Sequence, residues 1–190
     1  NYSVLNGFLT TLHPWLAYQN LLDGPPQSWG YPGSLYGHYS LGRAATASLI
    51  LKPATAISAA NKILPGIIDK MKCYSYRVPT PVVGAADITL QTEKDTTKEE
   101  LINVIKSRIN NQKWPIIHLN EEPLVSVDFT GTDYSAIIDA RWFEVINGNL
   151  IKITLWYDNE FAYSRRVVDL ARFLFGLKPR MHLHEENSLS

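Results

Sequence analysis

The stretch from Trp142 to Gly176 constrains the fold of this chain more than any other. "WFEVI" (142–146) and "NLIKITLWY" (149–157) are rich in β-branched and aromatic residues, and Asn147-Gly148 alone separates them. An Asn-Gly pair tolerates the positive φ angles of a tight hairpin turn, so the two runs are predicted to pair antiparallel. "DNEFAYSRRVVDLARFLFG" (158–176) follows without a break. Its acidic opening and its closing glycine predict a helix that agrees with its own dipole.

The rest of the chain repeats these themes. "SVLNGFLTTLH" (3–13), "CYSYRVP" (73–79), "VVGAADITLQTE" (82–93), "LVSVDF" (124–129) and "YSAIIDA" (134–140) read as strands. "PATAISAANKIL" (53–64) carries apolar residues at helical spacing and stops at Pro65-Gly66. "TKEELINVIKSRIN" (97–110) has a capping box in Thr97 and Glu100, with Leu101, Val104, Ile105 and Ile109 as its buried stripe. No regular strand–helix–strand alternation appears. The expected class is α+β, a mostly antiparallel mixed sheet with helices packed on one face. A chain of 190 residues suits one domain, expected over 1–176, with 177–190 as a polar tail.

Charge excludes some partners. Eighteen Lys and Arg balance eighteen Asp and Glu, so no basic stripe is available to hold nucleic acid and no field draws the chain to a membrane surface. Apolar runs fall short of a bilayer span. The single cysteine, Cys73, excludes an internal disulfide and fits a reducing compartment. It lies in an alternating strand away from any helix N-terminus and reads as an inert buried thiol. His182 and His184 offer two metal ligands without a third, so no metal site is expected.

Four other residues could carry chemistry. His13 ends a strand at a proline, in "TTLHPW", and reads either as a hydrogen-bonded structural residue or as a general base. Arg77 stands in an otherwise uncharged strand and needs an anionic partner, either a ligand's phosphate or carboxylate or a structural salt bridge. Asn159 and Tyr163, at i and i+4 on the final helix, can hold a flat polar ligand or cap the helix. The segment 21–42, rich in Gly, Pro, Ser and Tyr, is long enough to be an interface or functional loop.

"LWYDNEFAYSRRVVDL" (155–170), "TTLH" (10–13), "YRVPTP" (76–81) and the run from "PLVSVDF" to "SAIID" (123–139) together resemble a set of collinear motifs. They are those of the glyceraldehyde-3-phosphate dehydrogenase family, including its erythrose-4-phosphate branch. The resemblance covers about residues 2 to 175 and implies the C-terminal catalytic domain of that family. It further implies that the catalytic cysteine, in an S-C-T-T-N motif, and the dinucleotide-binding half both precede Asn1.

On this resemblance His13 is the base that activates that cysteine and assists hydride transfer to NAD. Arg77 clamps the substrate phosphate, with Thr55 as a second contact after a one-residue shift. Asn159 holds the nicotinamide carboxamide and Tyr163 packs near its ring. Residues 21–42 correspond to the family's S-loop, closed by Arg43, and with the sheet face they build a homo-oligomer. The implied enzyme is a cytoplasmic oxidoreductase of carbohydrate metabolism acting on a small aldehyde phosphate, and these 190 residues alone are expected to be inactive. The family's H-x-x-T-x-T pattern has Leu16 and Tyr18 in place of its threonines, and its S-S-T-G loop reads Lys52-Pro53-Ala54-Thr55. These losses support a second expectation, a non-catalytic dehydrogenase domain kept as an oligomerisation or interaction module.

Overall fold

In the computed structural model the described residues are 2–17, 19–25, 28–29, 35–36 and 39–179. Strand β1 (Val4–His13) is followed by the two-residue strands β2 (Ser28–Trp29) and β3 (Leu35–Tyr36), which pair antiparallel with each other. Then come β4 (Ile50–Pro53), helices α1 (Ala56–Ala60) and α2 (Ile67–Lys70), β5 (Met71–Arg77) and β6 (Gly84–Thr92). Helix α3 (Lys98–Asn110), β7 (Ile117–Asn120), β8 (Ala136–Asp139), β9 (Glu144–Ile146), β10 (Leu150–Tyr157) and α4 (Phe161–Leu174) complete the order.

The main sheet runs β4-β5-β1-β6-β10-β8-β7, with β9 paired to β10. Only β1/β5 and β7/β8 are parallel; the other pairings are antiparallel. The α+β class therefore holds. Alternation along the strands separates two faces. One face carries Ile151, which packs with Leu101, Ala140 and Phe143, while Leu90, Ile105 and Ile153 close around them. Helix α3 thus covers this face of the central strands. The same face of β5 meets α1, where Cys73 Sγ donates to the Ala54 carbonyl at 3.3 Å. On the opposite face Phe8, Leu51 and Tyr74 remain at least half exposed.

Several local expectations are realised. Asn147 and Gly148 have φ of 50° and 76°, and the turn joins β9 to β10 in antiparallel register. Thr97 accepts from the Glu100 amide while the Glu100 carboxylate accepts from the Thr97 amide, the full capping box. Others are corrected. Residues 126–129 form a 3-10 turn, not a strand, because the Asp128 carboxylate accepts the Val125 amide at 2.8 Å and closes the backbone on itself. The helix expected over 53–64 is reduced to Ala56–Ala60, since Pro53 belongs to β4. The polar tail from 180, residues 26–27, 30–34 and 37–38 of the 21–42 segment, and Tyr18, His182 and His184 lie outside the described residues.

Helix α4 begins at Phe161, so Asn159 lies in the turn before it. Asp158, 3 % exposed, organises that turn. Its Oδ1 accepts from the Glu160 and Phe161 amides at 3.0 and 2.9 Å, and its Oδ2 accepts from the Gly131 amide at 2.9 Å. Asp158→Ala strands three amides, and the expected loss of stability is about 2–3 kcal/mol by urea denaturation. Asp158→Asn, which keeps one acceptor, should lose less. A loss below about 0.5 kcal/mol for Asp158→Ala, inside the range of ordinary surface substitutions, would remove this role.

Candidate active site

Strands β1 and β5 run parallel with His13 opposite Arg77 and Thr11 opposite Ser75. A period of two places these four side chains on the face that also carries the core. Pro14 has no amide to extend the ladder, and its last rung is the Val78 amide bonded to the His13 carbonyl at 2.9 Å. His13 therefore stands at the end of the strand, over an opening rather than over more sheet. Strand β4 brings Lys52 opposite Ser75. From the other side, Tyr157 at the end of β10 pairs with Gly84 of β6.

Gly84 is what lets these parts meet. A Cβ on it would lie 2.7 Å from the Leu12 carbonyl oxygen and 2.7 Å from Cζ of Tyr157. Without that Cβ the phenol crosses β6 and reaches β1. Its hydroxyl lies 3.4 Å from His13 Nδ1 and 3.5 Å from the Leu12 carbonyl. The two rings meet edge to face, with centroids 6.0 Å apart and planes at 70°. On the other side His13 Nε2 is 3.0 Å from Thr11 Oγ1, and that hydroxyl is 2.7 Å from Ser75 Oγ. The imidazole is held at both nitrogens.

The electrostatics follow from this burial. The His13 pKa is lowered, first by removal from water and then by the positive charges of Arg77 and Lys52. Its neutral form, the one able to take a proton, is favoured at pH 7. Burial pushes the Tyr157 phenol up to about 12, against a smaller opposing pull from Arg77, so this hydroxyl stays protonated. Arg77 Nη1 donates to the Pro14 carbonyl at 2.7 Å, tying the guanidinium to the chain just past His13.

Thr11, His13, Lys52, Thr55, Ser75, Arg77 and Tyr157 line one cavity of about 480 Å³, together with Pro53, Ala54 and Ala56. No carboxylate is among them. Asp87 pairs with Lys152 at 3.0 Å, and Asp139 pairs with Arg141 at 2.8 Å. The structure thus brings together His13, Arg77 and Thr55, while Asn159 and Tyr163 do not line the cavity. Both are exposed, on the turn and first helical turn that follow Tyr157. Leu16 is absent from the lining too.

Thr11, Lys52, Ser75 and Tyr157 were not singled out by motif. The usable signal was parity: once His13 and Arg77 face one cavity, so do Thr11 and Ser75 two residues before them. Cys73 shares that parity but pairs with Leu9, four residues before His13, which is about 13 Å along the strand. It is half-buried rather than buried. No thiol among the described residues reaches His13.

Residues 1–159 match the family model "Glyceraldehyde 3-phosphate dehydrogenase, C-terminal domain". A cytosolic glyceraldehyde-3-phosphate dehydrogenase 3 of Zea mays is 37% identical over 93% of this chain and 50% of its own length. The chloroplastic glyceraldehyde-3-phosphate dehydrogenase A of Chlamydomonas reinhardtii is 37% identical over 90% of the chain and 43% of its own length. The testis-specific enzyme of Mus musculus is 33% identical over 93% and 38%. The chain spans about half the length, or less, of the curated relatives it matches. It belongs to the glyceraldehyde-3-phosphate dehydrogenase family, as a C-terminal domain of that family.

Proposed function

We propose that this chain is the catalytic half of an NAD-dependent, phosphorylating aldehyde dehydrogenase of the glyceraldehyde-3-phosphate type, in which His13 is the base. The observation that carries this reading is a neutral imidazole, fixed by Thr11 and Tyr157, in a cavity lined by two cations and, among the described residues, by no carboxylate. His13 takes the proton of a thiol supplied from outside the described residues as the sulfur adds to the aldehyde carbon. It returns that proton to the former carbonyl oxygen, which becomes the adduct's hydroxyl, and, neutral again, takes the hydroxyl proton as the hydride leaves. Arg77 and Thr55, which line the same cavity, hold the substrate's anionic end.

Asn159 fits a nicotinamide carboxamide: its side chain is exposed and makes no hydrogen bond among the described residues. Tyr163, 71 % exposed, offers a flat face four residues on. NAD, when bound, supplies the hydride acceptor. The chain's own residues orient it and exchange the protons.

The open sheet face, with Phe8, Leu51 and Tyr74 exposed, supports a homo-oligomer built on that face and on residues 21–42. Arg43 favours the loop's part in it, because its guanidinium meets Asp23 at 3.3 Å and ties the loop's two ends. A single-copy mass for the full-length protein by light scattering would remove this part of the reading. Cytoplasmic residence accords with the cytosolic maize relative. A role as a non-catalytic module is the weaker reading, since His13, Arg77 and Thr55 still share one cavity.

The test is direct. The 190-residue chain with NAD and glyceraldehyde 3-phosphate should form no NADH, because no thiol among its described residues reaches His13. The full-length protein should form it. Turnover by the chain alone, lost in His13→Ala, would overturn the assignment of the nucleophile.

A further inference from the structure

We propose that Ser75 is a positioning residue for His13: through Thr11 it holds the hydroxyl that faces the imidazole, and so favours the neutral ring whose Nε2 accepts a hydrogen bond. What the base then does rests on the dehydrogenase reading; the hydroxyl chain stands without it.

The parallel register of β1 and β5 sets Ser75 opposite Thr11, and a period of two puts His13 on the same face, one step further along β1. Thr11 and Ser75 are 7% and 4% exposed. Buried hydroxyls cost stability unless they are bonded, and an apolar pair would fill these positions at lower cost. Among the described residues Thr11 is the one hydrogen-bond partner of Ser75, with 2.7 Å between the oxygens. Thr11 Oγ1 also has His13 Nε2 at 3.0 Å and the Tyr74 carbonyl at 3.4 Å.

A hydroxyl has one proton to give and two lone pairs to offer, and a carbonyl only accepts. Thr11 therefore has two arrangements in which every group is satisfied. In the first it donates to His13 Nε2, and the ring proton lies on Nδ1, toward the Tyr157 hydroxyl. In the second its proton turns to the Tyr74 carbonyl, and Nε2 carries a proton that Thr11 accepts. An imidazolium requires the second. In both, Ser75 donates to Thr11. Turning the Thr11 proton onto Ser75 instead would leave the Ser75 proton without a partner among the described residues.

The two arrangements differ in strength. In the first, Ser75, Thr11 and Nε2 form a head-to-tail chain in which each donor polarises the next. In the second, Thr11 spends its proton on an acceptor at 3.4 Å, a longer and weaker bond. Ser75 thus makes Thr11 a better donor and favours the neutral ring. Protonation of Nε2 then requires only that one hydroxyl turn: the Thr11 oxygen stays where Ser75 holds it and accepts the new N–H. Arg77 of β5, Lys52 of β4 and Tyr157 of β10 are the other titratable groups around this cavity, and removal of the Ser75 hydroxyl changes none of their charges.

NMR of the imidazole nitrogens tests this in the 190-residue chain grown with nitrogen-labelled histidine. There are five histidines, and the His13 signals are those missing in His13→Asn. The unmodified chain at neutral pH should carry the His13 proton mainly on Nδ1. Ser75→Ala should move that population toward Nε2 and raise the midpoint of the His13 titration by about 0.3–1 pH unit, the worth of one neutral hydrogen bond. Ser75→Cys, of similar size but a weak donor, should fall between. Because Ser75 acts through Thr11, adding Ser75→Ala to Thr11→Val should move the midpoint by less than about 0.2 pH unit. In the full-length protein Ser75→Ala should shift the acid limb of kcat upward by the same amount, with KM changed less than about twofold.

An unchanged midpoint and tautomer in Ser75→Ala, or a full shift in the Thr11→Val background, would overturn the proposal. The ring titration needs no turnover, so its failure is separate from failure of the dehydrogenase reading, which shows as a full-length protein that forms no NADH.

Discussion

Arg165→Met is expected to lower the stability of the chain by about 3–5 kcal/mol, among the largest effects of any single substitution here. Arg165 Nη1 donates to Asp133 Oδ2 at 2.7 Å and its Nε donates to Asp169 Oδ1 at 3.1 Å. The Asp133 and Asp169 side chains are only 6% and 9% exposed. Removing the shared cation takes a guanidinium bond from each of two nearly buried carboxylates, and leaves Asp169 to Arg166 alone. Arg166, bonded to Asp169, to Ser135 Oγ and to the Pro115 carbonyl, cannot move to replace it without giving up those partners. The cluster fixes α4 to the segments that lead into β7 and β8, and so sets the position of the turn carrying Asn159. Arg165→Lys should recover only part of the loss, because one ammonium does not reproduce a planar fork between two acceptors. Urea denaturation followed by circular dichroism measures this, and a loss under about 1 kcal/mol would show the cluster to contribute no more than an exposed ion pair does.

His13→Asn in the full-length protein should lower the rate of aldehyde oxidation by about 10²–10⁴-fold, the usual worth of a positioned general base. Asparagine keeps a hydrogen-bonding group toward Thr11 but takes no proton. The pH dependence has a definite sign. Burial, Arg77 and Lys52 all lower the His13 pKa, so the acid limb of the rate profile should have its midpoint below the ordinary 6.5. The same shift makes the unfolded chain the better proton acceptor. Stability from this group is therefore intact above 6.5 and declines as pH falls from there toward the folded-state pKa. A limb centred at or above 6.5 would contradict the geometry of the cavity.

What was legible in the sequence was local. The Asn147-Gly148 turn and the Thr97 capping box are decided by a few neighbouring residues, and both form as read. The 124–129 run failed because its alternation is strand-like, while Asp128 closes a local turn that alternation does not report. β7, an edge strand paired in parallel with β8, carries no strong period that would mark it as a strand. His13 and Arg77 could be named by motif. Their meeting depends on the parallel register of β1 and β5, set by a crossover of more than fifty residues. Tyr157 and Lys52 enter the site only through pairings between distant strands, and nothing in their own neighbourhoods announces it. Asp158 shows the converse. It lies inside the most legible motif of the chain, yet its work is to hold the backbone of the turn, and the geometry alone separates that from the exposed Asn159 beside it.

The proposed role of His13 is that of the base in a hydride-transferring aldehyde dehydrogenase. Single-turnover NADH formation tests it most directly, with full-length protein mixed with NAD and glyceraldehyde 3-phosphate in the absence of an acyl acceptor. The expected result is a burst that scales with the concentration of active sites and slows by orders of magnitude in His13→Asn. A folded protein that gives no NADH, or one whose burst is the same with asparagine at position 13, would contradict it.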